Sequence, residues 1–239
     1  MASSGPSKAC CTVPPAKVED YSPKGKYIKL SDGMECYATG PSSATTAIFV
    51  VYDIFGFSPQ GIQGADILAH ADDGSHQYRV FVPDFFYGKP MDHANYPPDT
   101  PEKQKKLGDF FAGPAAPKPT AEKVPALVKD ILGLAEGKGV TKWGALGQCW
   151  GGKEVHPAMV DANDAKAIKI PYAMLASKDE DAKLVKEFGD ALTGPKYLET
   201  FGDQIHGWMA ARADLKQDRV RQEYERGYKT LLEFYHEHL

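Results

Sequence analysis

The stretch Gly147-Gln148-Cys149-Trp150-Gly151-Gly152 constrains the fold of this chain more than any other. It follows Thr141-Lys142-Trp143-Gly144-Ala145-Leu146, short and partly apolar, which reads as a buried strand. Strand, G-x-C-x-G and helix in succession make a nucleophile elbow, with a thiol where a hydroxyl is usual. The turn is so sharp that the residues two places either side of the nucleophile must be small, and Gly147 and Gly151 fill those places. The main-chain N–H of Trp150 then faces the oxygen of a bound carbonyl. A helix N-terminus beneath adds positive potential that favours a thiolate and a developing oxyanion. Glycine-rich stretches around a cysteine also occur as plain buried turns, so the rest of the chain has to decide.

The rest alternates strands and helices. Residues 1–25 are a Pro-rich extended arm, and 26–239 read as a single domain. Lys26–Leu30 and Met34–Ala38, joined by Ser31-Asp32-Gly33, form an antiparallel hairpin at a sheet edge. Ala47–Asp53 and Tyr78–Pro83 are uniformly apolar, as parallel strands buried on both faces should be. Apolar spacing predicts helices over 62–71, 101–111, 121–136, 182–192 and 219–239, with further strands over 171–177 and 196–201. The class is therefore α/β, a mostly parallel central sheet with helices on both faces.

Composition removes several functions. A formal charge of −4 with dispersed Lys and Arg offers no nucleic-acid surface. The longest apolar run, Ala47–Tyr52, is far too short to span a bilayer. The N-terminus has no apolar core of a secretory signal. Four cysteines in 239 residues do not make a disulfide scaffold, and the adjacent Cys10 and Cys11 lack metal-binding spacing. A cytoplasmic protein with reduced thiols, no metal and no cofactor is expected, as a monomer or weak homodimer with a small-molecule substrate and no membrane partner.

A thiol nucleophile needs a base, and the base needs an orienting acid. In elbow enzymes the chain order is nucleophile, acid, histidine, each just past a strand. Cys149, Asp179 and His206 occur in that order at three successive strand ends, with Asp181 competing for the place of the acid.

The elbow, Asp53-Ile54-Phe55-Gly56, Pro83-Asp84-Phe85-Phe86-Tyr87-Gly88, Ser177-Lys178-Asp179-Glu180 and His206-Gly207-Trp208 together resemble the dienelactone hydrolase family, in particular its fungal members. The resemblance covers nearly the whole chain and implies an α/β-hydrolase fold. It implies a Cys-Asp-His triad of Cys149, Asp179 and His206, with the N–H groups of Ile54 and Trp150 as oxyanion donors. The reaction implied is hydrolysis of a lactone or related ester through an acyl-enzyme. Asp53 stands where the family usually has Glu on the oxyanion loop. Arg212 is the nearest counterpart of an arginine that holds a substrate carboxylate, and no second arginine matches near Tyr87. A less anionic substrate follows, against an apolar wall of Phe57, Phe86 and Trp208. The substrate-binding set is thus Asp53, Phe57, Phe86, Tyr87, Trp208 and Arg212.

One departure stands out. After the elbow, Gly151-Gly152-Lys153-Glu154-Val155-His156 runs at once into Pro157, which breaks a helix. Val155-His156-Pro157-Ala158 looks like the end of the family's next strand. A crossover of ~15–20 residues is thus missing between Lys153 and Val155, since parallel strands need a dozen or more to connect. The rival readings are a non-catalytic binding protein on a hydrolase scaffold and a glutamine amidotransferase, which would need His-x-Glu where the chain has His206-Gly207-Trp208.

Overall fold

The structure, a computed structural model, describes residues 20–71, 76–155 and 162–239. The Cys10-Cys11 start, most of the 1–25 arm and the His156-Pro157-Ala158 stretch lie outside the described residues. Strand β3 (Thr46–Val51) is central to the larger sheet because Ala47 to Val51 are all buried. It pairs in parallel with β4 (Tyr78–Pro83) on one side and with β5 (Lys142–Gly147) on the other, Phe49 facing both Phe81 and Ala145. β2 (Glu35–Thr39) continues the sheet antiparallel to β4, and β1 (Lys26–Lys29) lies antiparallel to β2. The order is β1-β2-β4-β3-β5.

Helix α1 (Pro59–His70) starts on Ser58, whose hydroxyl accepts from Gly61 N, with Pro59 in the first turn, where its missing N–H does no harm. It packs on β4. α2 (Pro101–Ala112) and a short α3 (Pro117–Ala121) follow, the latter within a stretch whose Pro and Ala content predicts irregular chain. α4 (Val124–Gly133) is shorter than the expected 121–136, because Pro125 is tolerated only in a first turn. The chain closes in α8 (Asp218–His238), which buries Tyr224, Tyr228, Leu231, Leu232 and Tyr235 on one face. Each such side chain contributes about 1.5–3 kcal/mol when fully buried. Tyr228 sits so close to α1 that a Cβ on Gly64 would fall 1.8 Å from its hydroxyl.

The remaining strands form a second sheet. β6 (Tyr172–Ser177) and β7 (Lys196–Phe201) pair in parallel, Met174 opposite Leu198. α6 (Ala162–Ala167) and α7 (Ala182–Ala191) cover them with a small core of Ala165, Ile168, Phe188 and Leu192. Between β5 and β6 the described residues hold only α5 (Trp150–Val155), six residues long, and α6. Among the described residues β5 is paired on one side only, and so is β6, and the two strands line one cavity. The sheet divides between β5 and β6, where the sequence leads one to expect a missing crossover. Among the described residues no helix is long and apolar enough to cross a membrane, and no group of three His, Cys, Asp or Glu side chains is placed to hold a metal ion.

Candidate active site

Cys149 follows the end of β5 at φ +56°, a left-handed conformation that residues with a Cβ rarely adopt. A nucleophile carried on a strained strand-to-helix turn has this signature. The flanking glycines are explained by contacts: a Cβ on Gly147 would lie 2.3 Å from Gly151 O, and one on Gly151 would lie 2.0 Å from Val51 O. Both obstacles are main chain and cannot rotate away. Gly151→Ala should therefore cost ~3 kcal/mol through overpacking, read as a Tm lower by about 6–12 °C in a thermal melt. An unchanged Tm would mean that the turn has room the structure does not contain.

Gln148 anchors the elbow from behind. Its Nε2 donates to Met209 O at 3.0 Å and to Tyr228 Oη at 2.9 Å, joining the Cys149 turn to α8 and to the loop that carries His206. That loop follows β7. The His206 Nδ1 lies 2.6 Å from Glu180 Oε1, and Cys149 hydrogen-bonds the same ring. With Nδ1 taken by Glu180, the thiol faces Nε2.

The carboxylate on the imidazole is thus not the one that chain order predicts. Asp179 Oδ2 accepts from the main-chain N–H of His206 at 2.8 Å instead. Asp181 caps α7, its Oδ1 accepting from Lys183 N and Leu184 N. Glu180, one residue on from Asp179 and one methylene longer, reaches the ring, while its other oxygen accepts from Ser177 N. Three carboxylates in consecutive positions leave the choice to the turn, which no residue-type pattern specifies. The thiol and then Glu180 hold the His206 imidazole up, at about 10, against the opposing pull of desolvation. Desolvation pushes Glu180 upward, but its hydrogen bonds with His206 and Ser177 outweigh it and bring the group down to about 2.

The expected substrate residues fare differently. Asp53 is committed elsewhere: its two oxygens accept from Phe55 N (2.8 Å) and Ala211 N (3.0 Å), tying the loop after β3 to the loop after His206. Burial raises its pKa, partly offset by those two donors. Phe86 is buried against Trp150 and Phe110, Phe57 packs between Tyr27 and Tyr52, and exposed Tyr87 donates to Asp32. None of these four lines the cavity beside Cys149. Trp208 does line it, held by Phe201 at 4.2 Å between ring centres. Arg212 donates to His206 O at 2.8 Å and lies over the Tyr96 ring, so it braces the histidine loop. Ile54, the first residue beyond Asp53, is buried, as is Trp150 at the head of α5, whose indole donates to Ala115 O. Leu146, Met174 and Leu175, which do line the cavity, were legible only as core residues.

A mixed sheet whose fifth strand runs into a strained cysteine elbow, with a histidine loop after the last strand, defines an α/β-hydrolase. No protein-family model matches the chain. An AIM2 family protein of Schizosaccharomyces pombe is 39% identical over 240 positions, covering 92% of this chain and 94% of the relative. The chain belongs to the AIM2 family of dienelactone hydrolase-like α/β-hydrolases. A carboxymethylenebutenolidase homolog of Mus musculus is 31% identical, covering 67% of this chain and 60% of the relative. The crystal structure of a dienelactone hydrolase from Anabaena variabilis shares the fold with a TM-score of 0.60 at 14% identity, covering 92% of this chain and all of that one. The alignment with the yeast protein spans 240 positions for 92% of 239 residues, so about 20 aligned positions have no counterpart in this chain.

Proposed function

We propose that this protein hydrolyses carboxylic esters, lactones among them, through an acyl-enzyme on Cys149, with His206 as acid and base and Glu180 as the orienting carboxylate. The arrangement that carries the proposal is the imidazole bridging a thiol and a carboxylate 2.6 Å from Nδ1. The Cys149 sulfur, as thiolate, attacks the carbonyl carbon, and the oxyanion rests on the N–H groups of Ile54 and Trp150. Each donor is worth roughly 100- to 1000-fold in rate. His206 Nε2–H gives its proton to the leaving oxygen as the C–O bond breaks. Water then attacks the thioester, His206 takes its proton, and the C–S bond breaks to release the acid and restore the thiolate. In a lactone the alcohol stays attached to the acyl group until that release. Glu180 keeps the proton on Nδ1 in the neutral ring, so that Nε2 serves the sulfur, and Asp179 holds the histidine main chain in place. The name of the mouse relative, a carboxymethylenebutenolidase homolog, supports the lactone class.

The test is capture of the intermediate. Brief mixing with p-nitrophenyl acetate should give a burst of nitrophenol and an acetyl adduct on Cys149, found by intact mass and peptide mapping. Turnover and adduct both missing would favour a binding protein on a hydrolase scaffold.

A further inference from the structure

The division of the sheet leaves a cavity of about 170 Å³ between β5 and β6. Its walls carry Leu146 from β5, Tyr172, Met174 and Leu175 from β6, Val185 from α7 and Leu231 from α8. Cys149 and His206 line the same space. A hole of about 150 Å³ with aliphatic and aromatic walls suffices to hold benzene, so this one holds about six carbons.

The lining chemistry narrows the ligand further. Among the described residues no lysine or arginine lines the cavity, so none of them would hold a carboxylate there. The ionised carboxylate in its wall, Glu180, is engaged by His206 and Ser177. The polar side chains Gln148 and Ser177 are hydrogen-bonded to Met209, Tyr228 and Asp179. Arg212, the expected anion holder, is not part of the lining.

We propose that this cavity is a specificity pocket for an uncharged apolar group of about six carbons, carried by the ester on its acyl or its alcohol side. The proposal rests on the esterase reading for the bond that is cleaved, though not for the binding itself. The space lies between β5 and β6, each paired on one side only among the described residues, and it opens beside Cys149. Each methylene that enters should improve kcat/KM by about fourfold until the space is full.

The test combines two readouts on the full chain. Benzene should raise the Tm, since a ligand that binds only the folded state stabilises it, and Ala173→Phe, which fills the cavity from β6, should abolish the rise. In turnover, p-nitrophenyl acetate, butyrate, hexanoate and octanoate give an acyl series, and acetates of lengthening alcohols give the other. One series should climb to about six carbons and then stop. Ala173→Phe should keep acetate turnover and lose at least tenfold on the optimal ester; Ala173→Leu serves if the larger change does not fold. Flat profiles in both series, with acetate still hydrolysed, would overturn the pocket and leave the esterase standing. If no ester is turned over, the esterase reading fails; a benzene shift that Ala173→Phe removes would then uphold the cavity as a binding site, and no shift would overturn it.

Discussion

Cys149→Ala should abolish ester turnover, by on the order of 10⁴- to 10⁶-fold in kcat, with the fold intact. In the proposed mechanism, removing the sulfur removes the only atom that bonds to substrate, so the proposed oxyanion donors are left to polarise a carbonyl that nothing attacks. Stability should change little. Alanine also has a Cβ and meets the φ of +56° on the same terms as cysteine, and Cys149 is only half-buried. A melt within a few degrees of the parent, with no acetyl adduct, is the expected pair of results. Cys36 is the internal control among the described residues: it is buried, and desolvation pushes its thiol up to about 12, which leaves it no thiolate at neutral pH. Peptide mapping should find the adduct at Cys149 and none at Cys36. Retained turnover in Cys149→Ala would remove the nucleophile from this site.

The parts of the fold that the sequence made legible are those where one physical requirement admits one solution. Val50 and Val51 sit in a run with no polar residue, which only a strand covered on both faces accommodates, and β3 is such a strand. Gly147 and Gly151 are glycines because main-chain atoms lie where a Cβ would go, and the spacing alone implied as much. The histidine was legible because a loop after the last strand is the place from which it can reach the elbow. The acid was not, because Asp179, Glu180 and Asp181 differ only in which way a short turn points them: each accepts from a main-chain N–H, and Glu180 alone also reaches the ring. Asp53 misled for a related reason. A carboxylate beside an oxyanion loop looks like a substrate contact, whereas two amides from different loops claim both its oxygens. The cavity beside the thiol was not legible, because it required the placement of β6 and α8 against β5.

Glu180→Gln should lower kcat by roughly 10³- to 10⁴-fold, the cost of leaving a catalytic imidazole in the wrong tautomer, while Asp179→Asn should cost less than about tenfold. The asymmetry follows from the bonds. The amide that replaces the Glu180 carboxylate can offer Nδ1 an N–H, which turns the ring's proton to Nε2 and spoils it as a base toward the sulfur. The amide that replaces the Asp179 carboxylate keeps a carbonyl oxygen for the His206 main-chain N–H. A pH profile separates this from a merely structural loss. His206 is held up at about 10 from an ordinary 6.5, so its contribution to stability is complete below about 6.5 and is lost as pH rises toward 10. Glu180 is held down at about 2 from an ordinary 4.5, so its contribution is complete above about 4.5 and is lost as pH falls toward 2. The pair therefore stabilises most between about pH 4.5 and 6.5. Glu180→Gln should remove the acid-side loss and flatten the decline between about pH 6.5 and 10, because the imidazole falls back toward its ordinary range while the thiol still supports it. Melts across roughly pH 3 to 10, with His206 followed by NMR, read both effects. If Asp179→Asn flattens the profile and stops catalysis while Glu180→Gln does neither, the acid is Asp179 and the turn after β6 closes one residue earlier on the working enzyme.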